Sequence, residues 1–328
     1  MKKYILILLL CGIAKGQTNL FVRQNFATGN PTANTFIGGV SSTISTPALL
    51  ATKLGISGSR ISNFKVVGSD IQCRISGSYA IPGYSFYFIS SPYAPASYYK
   101  DIDGLVTSVG YWAFYYGGSN GALTSDIEFK NAITLAASVF STGGKRILLK
   151  NANTIGNACF YGSSTLEVIY IPNVTTIGAD VGMQDGDYQR VFLLEGLSFA
   201  NLKIYAHPSM ATINAGGVEG DLANAISRGA TVRYVTNFTP PNPITTLASG
   251  TVTSTTIQLN FTPPTGSTNA IDYYEVWLNG VDSGKTLTAS GQNVTGLTTA
   301  TSYDIELITV DIFYNKSVKS NKITVSTL

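Results

Sequence analysis

Apolar and polar residues alternate with a period of two over short stretches of this chain, so the sequence predicts a mainly β protein built from many short strands. In DIQCRIS (70–76), Ile71, Cys73 and Ile75 alternate with Gln72 and Arg74, which places the Cys73 thiol on the buried face of a strand. SNFKVVG and SFYFIS read the same way, and together these runs predict a β-rich N-terminal module over 17–105, with TPALLATKLGI (46–56) as a short helix. Further on, the strands recur ahead of a shared turn. EFKNAITLAASVF (128–140), LLKNANTIGNACF (148–160) and YIPNVTTIGADVG (170–182) bring Asn131, Asn151 and Asn173 into register, and likewise Thr134, Thr154 and Thr176. TSVGYWAF is a degenerate earlier copy that places Gly110 and Phe114 like Gly156 and Phe160. From Val109 to Leu135, Ile155 and Ile177 the steps are 26, 20 and 22 residues, the period of a solenoid whose coils each contribute one strand. Those strands are predicted at Ile127–Phe129, Ile147–Leu149 and Val168–Ile171. Asn151 and Asn173 are expected to turn the chain at the end of each strand by bonding backbone groups inside the coil, with Ile155, Ile177 and Phe160 filling the space between coils.

The unit resembles the bacterial surface-antigen type of leucine-rich repeat, on the evidence of TLEVIYIPNVTTIGADV (165–181) and TIGNACFYGSSTL (154–166). The resemblance covers 106–236 and implies a short leucine-rich-repeat solenoid with a long exposed strand face. After Gly178 the pattern lapses in a longer segment that lacks the Ala-Phe knob, predicting an insertion at 179–196 before LKIYAHP (202–208) resumes the array. GDLANAISRGATVRYV (220–235) then carries Leu222, Ala225 and Ile226 at helical spacing, Gly229 as a stop and a strand with Val232 and Val235, a helix and strand suited to capping the open end. Within TNFTPPNP, 237–243 forms a stiff Pro-rich linker. Residues 244–328 resemble a fibronectin type III domain, a β-sandwich, with strands in TIQLNFTPP, DYYEVWLNG, TSYDIELITVD and NKITVSTL. GLTTATSY places Leu297 and Tyr303 like that family's tyrosine corner, although Phe261 stands where the family usually has a core Trp and Trp277 falls on the third strand.

Composition changes the picture in two places. MKKYILILLLCGIAKGQ has a basic start, an apolar run and small residues before Gln17, and reads as a signal peptide over 1–16, too short to span a bilayer, so that no transmembrane span is expected in the mature chain. Its loss removes Lys2, Lys3 and Lys15 from 21 basic residues against 18 acidic ones, which leaves a formally neutral chain. Neutrality argues against a nucleic-acid partner, which needs a basic footprint. Cys73 and Cys159 then remain, either bridged in an oxidising compartment or buried as free thiols.

Catalytic chemistry finds few anchors. His207 is the only histidine, which rules out multi-histidine metal sites and leaves one residue alone to serve any histidine-based triad. GISGS (55–59) has the wrong spacing for a nucleophile elbow. Acidic residues cluster at Asp101 and Asp103 and, in the insertion, at Asp180, Asp185 and Asp187; the last three are weak calcium candidates, both clusters read first as polar turns, and no other cofactor is implied. Aromatic residues crowd 84–116, and those not used in the core offer flat amphipathic surfaces: Tyr93, Tyr98, Tyr99, Tyr111, Trp112, Tyr115 and Tyr116 are the candidate ligand-binding residues. Three functions follow, in order of preference. The first is a non-enzymatic recognition or adhesion protein, exported to the cell surface or beyond, that binds a glycan or protein ligand. The second is a structural component of a bacteriophage virion, a capsid decoration or fibre protein contacting other virion proteins. The third is a secreted glycoside-active enzyme.

Overall fold

The computed structural model describes residues 33–38, 43–86, 98–101, 103–114, 127–132, 134–136, 139–140, 146–156, 159–160, 166–177, 199–211 and 222–328. The leader and the insertion predicted at 179–196 lie outside these residues.

From Tyr79 to Ala206 the described strands alternate between two sheets. Strands β4 (Tyr79–Ile81), β6 (Val106–Val109), β8 (Thr134–Leu135), β10 (Thr154–Ile155) and β12 (Thr176–Ile177) form one sheet. Strands β5 (Tyr98–Asp101), β7 (Ile127–Phe129), β9 (Arg146–Leu148), β11 (Val168–Ile171), β13 (Lys203–Ala206) and β14 (Thr231–Tyr234) lie in the other. Each strand in this series pairs in parallel with the next one in its sheet, and the pairs are the positions that the repeat aligns. Val109 stands beside Leu135, Leu135 beside Ile155 and Ile155 beside Ile177. The spacing between partners is uneven: Arg146 pairs with Val168, 22 residues on, whereas Val168 pairs with Lys203, 35 residues on.

The boundary expected at 105 falls between β5 and β6, two members of this alternating series. Ahead of β4, strands β1 (Thr35–Gly38), β2 (Ile61–Val67) and β3 (Asp70–Ile75) continue the larger sheet as antiparallel neighbours of β5, in the order β5-β1-β3-β2. One apolar core runs from Ile37 to Ala230, so the first 230 residues have no internal break among those described. Ile71, Cys73 and Ile75 are buried, and so is Gln72, which the alternation assigned to solvent. The predicted helix is α1 (Pro47–Leu54), started by Thr46, whose side chain accepts the Leu49 N–H, and ended by Gly55 in the left-handed conformation. At the far end α2 (Leu222–Ser227) buries Leu222 and Ala225 while Ile226 stays exposed; Gly229 turns the chain at φ 101° into β14.

Two columns of like residues tie the array together. Phe86, Phe114, Phe140 and Phe160 stack at centroid separations of 5.2, 5.9 and 5.9 Å, all buried. Each lies five residues after a strand residue of the smaller sheet (Ile81, Val109, Leu135, Ile155), so the unit has a copy at 81–86 that the sequence comparison missed because Pro82 stands where Gly110, Ala136 and Gly156 are small. Asn131 Nδ2 donates to Gly104 O (2.8 Å), Asn151 Nδ2 to Asn131 Oδ1 (3.0 Å) and Asn173 Nδ2 to Lys150 O (2.7 Å). The asparagines therefore join each coil to the one before it, correcting the expectation that Asn151 and Asn173 bond inside the coil.

The C-terminal part is a sandwich with its own core. Strands β15 (Ala248–Val252), β16 (Ile257–Asn260) and β19 (Gln292–Val294) face β18 (Val281–Leu287), β17 (Ile271–Leu278), β20 (Ser302–Asp311) and β21 (Ile323–Ser326) across Ile257, Leu259, Val276, Ile305 and Leu307. Tyr303 Oη accepts the Thr298 N–H at 2.9 Å, the corner that GLTTATSY foretold. Phe261 fills the core against Tyr274 (4.7 Å, edge to face), while Trp277 points out of it.

Candidate functional site: an aromatic corner and a covered strand face

The turns that follow β4 and β6 have the same build. Each sends a phenylalanine inward, Phe86 or Phe114, together with the small residue before it, Ser85 or Ala113, and leaves Tyr84, or Tyr111 and Trp112, on the outside. The two turns stack so closely that a Cβ on Gly83 would meet Tyr111 O at 2.9 Å, and one on Gly110 would collide with the Gly83 backbone nitrogen. Only glycine fits at this approach. Tyr84 N–H bonds Tyr111 O (3.0 Å) and Phe86 N–H bonds Ala113 O (2.8 Å), which fixes one turn on the other.

On the outside of these turns Tyr84, Tyr111 and Trp112 form a cluster. Tyr111 and Trp112 stack at 4.7 Å with 20° between planes, and Tyr84 meets them edge-on at 5.9 and 5.6 Å. Tyr84 is 44% exposed, and Tyr111 and Trp112 are half-buried. Tyr84 and Trp112 both hold left-handed backbone, at φ 61° and 53°, a conformation that costs a bulky residue roughly 1–3 kcal/mol and that clusters where proteins bind or react.

Of the residues selected from sequence, Tyr111 and Trp112 come together here. Tyr99 does not: it is fully buried, donating or accepting at 2.6 Å with Tyr79 Oη and packed against Phe86, Phe114 and Phe129. Its place inward on β5 makes it core, and burial drives its hydroxyl pKa well up. Tyr98 belongs to β5, but its side chain, like Tyr93, Tyr115 and Tyr116, lies outside the described residues. Tyr84 was absent from the selection, although its place three residues after Ile81, as Trp112 is after Val109, would have marked it.

Among the acidic residues, Asp101 builds a turn. Asp101 is buried and accepts the Leu105 and Val106 N–H groups at 2.9 and 2.8 Å, while its burial raises its pKa. Asp103 accepts from Asn34 Nδ2 at 2.9 Å. Asp180, Asp185 and Asp187 lie outside the described residues, among which no group of three or more His, Cys, Asp or Glu side chains is placed to hold a metal ion. His207 Nδ1 accepts the Ser209 N–H at 3.1 Å, holding the start of a short helical turn. Cys73 and Cys159 are free and buried.

The strand face that the repeat was expected to expose is partly covered. The outward residues Leu148, Val168, Tyr170 and Tyr205 of β9, β11 and β13 pack against Tyr273, Trp277, Ile308, Val310 and Tyr314 of the sandwich. Ion pairs flank this contact: Arg146 with Asp282 (2.6 Å) and Glu275 (3.5 Å), Lys203 with Asp272 (3.1 Å), and Arg233 with Asp272 (3.4 Å). The linker thus joins two bodies in contact.

No protein-family model matches the chain, and no curated protein matches it. Among solved structures, a fibronectin type III domain of human fibronectin type III domain containing protein 3 is similar at 18% identity and TM-score 0.24, over 28% of this chain and 90% of that one. Chitinase ChiA74 from Bacillus thuringiensis is similar at 21% identity and TM-score 0.25, over 34% of this chain and 17% of that one. The titin domains A168–A170 are similar at 19% identity and TM-score 0.23, over 30% of this chain and 34% of theirs. The chain therefore spans a small share of the chitinase and of the titin fragment. The likeness is weak and confined to a fibronectin type III-like, immunoglobulin-like sandwich; the sandwich rests on its own strand pairing and its Tyr303 corner. No helix among the described residues is long and apolar enough to cross a membrane.

Proposed function

We propose that the protein is a non-enzymatic, exported recognition protein that binds a glycan through Tyr84, Tyr111 and Trp112. The observation that carries this reading is the cluster of three partly exposed aromatic rings, two of them on left-handed backbone. Flat amphipathic rings already fixed in place take up the apolar face of a sugar ring with little loss of side-chain entropy. In this reading the alternating two-sheet array is a leucine-rich-repeat solenoid of the surface-antigen type, supported by pairing in register of Val109, Leu135, Ile155 and Ile177. The sandwich acts as a spacer, and residues 1–16 are a leader removed on export.

The test is a glycan and mucin array probed with the full chain and with Trp112→Ala. Bound glycans should weaken about tenfold or more on losing the indole, the scale of a binding hot spot. Equal binding by both proteins refutes the aromatic site, and retention of protein but not sugar ligands refutes the glycan assignment.

A further inference from the structure

The contact between the strand face and the sandwich pairs cations with carboxylates, and the sandwich adds a cation of its own, Lys316, which holds Glu275 at 2.8 Å. The strand face brings the cations Arg146, Lys203 and Arg233, and the sandwich meets them with Asp272, Glu275 and Asp282. These side chains surround a tyrosine centre, Tyr170, Tyr205 and Tyr314, with ring centroids 5.1 to 6.2 Å apart. The centre is imperfectly made. Tyr205 Oη, Tyr314 Oη, Trp277 Nε1 and Glu275 Oε2 are buried there without a hydrogen-bond partner, which offsets part of the gain from burying apolar surface. The outer ion pairs are open to solvent to a degree that lets salt reach them: the Lys203 and Arg233 side chains are 39% and 30% exposed.

We propose that this contact is an electrostatic latch. At low ionic strength the sandwich sits on the strand face; rising salt screens the cation–carboxylate pairs and releases it, and the linker at 237–243 keeps the sandwich close enough to return. Release uncovers Tyr170 and Tyr205 flanked by three cations, a strip complementary to a carboxylate-bearing protein surface, of which the sandwich is the resident example.

Trp277 packs at this contact, and the chain has two tryptophans, so the full-length Trp112→Phe variant leaves Trp277 as its sole indole. Acrylamide quenching of its fluorescence then reads the latch. The quenching constant should rise about twofold or more between roughly 0.05 and 1 M sodium chloride, with the far-UV circular dichroism unchanged. A contact held by apolar burial instead gives a flat or falling constant, because salt does not weaken such burial, and that result overturns the latch. In the same background Asp272→Asn with Asp282→Asn should give the high constant already at low salt. A folded double variant with the parent's low-salt value also overturns the proposal, and should the variant not fold, the salt titration of the single-tryptophan protein decides alone.

Discussion

Phe140 lies between Phe114 and Phe160 with both rings near-parallel to its own. Removing it leaves a void with aromatic walls in a part of the core where adjacent coils cannot collapse inward without breaking register. Phe140→Ala should cost about 3–5 kcal/mol in chemical denaturation, and Phe140→Leu less than about 2. The two cysteines differ from their surroundings in chemistry rather than in packing. Burial pushes the Cys73 thiol up to about 12 and Cys159 further, so at pH 8 only a trace of either is thiolate, the nucleophilic form. Iodoacetamide at pH 8 should leave both untouched in the native protein and label both once guanidinium unfolds it; labelling of Cys73 in the folded protein would show that the alternation misplaced it. Cys159 takes the position of Ser85, Ala113 and Val139 in earlier units, which is why it reads as a small core residue.

At the scale of elements, the asparagine ladder acts between coils. Asn131 both donates to Gly104 O and accepts from Asn151 Nδ2, so it holds three successive coils, whereas Asn173 makes one link, to Lys150 O. Asn131→Ala should therefore destabilise by about 1–2 kcal/mol and Asn173→Ala by about 1, at the scale of one hydrogen bond each; equal losses in denaturant titrations would contradict the ladder. The repeat was legible in sequence because its inward residues are chemically alike from coil to coil, and the predicted strands at 127–129 and 168–171 match β7 and β11 residue for residue. The direction of the asparagine bonds was not legible, since a side chain bonding its own turn and one bonding the preceding coil leave the same spacing. Nor was the first unit, where Pro82 disguises a turn that Gly83 and Phe86 otherwise mark.

For the whole molecule, the sandwich was foreseen and its docking was not. Tyr170 and Tyr205 both meet Tyr314, more than a hundred residues on, as Arg146 meets Asp282; no local pattern records such a pairing. The aromatic corner was half visible. Crowding of Tyr, Phe and Trp over 84–116 marked the region, but which rings face outward depended on the inward turn at Phe86 and Phe114. Beyond that, the paired columns repeat coil by coil in both sheets, although the number of residues per coil varies. Excising one full period between partners preserves the phase of everything downstream. Deleting 109–134 joins Ser108 to Leu135, the register partner of Val109, and removes β7, which lies outside the docked strands. The shortened protein should fold with its thermal transition still cooperative, Phe86 now facing Phe140, and without the Tyr111–Trp112 stack, whereas a cut ten residues longer should not fold. A body assembled this way can change length by whole coils while its two ends keep their structure.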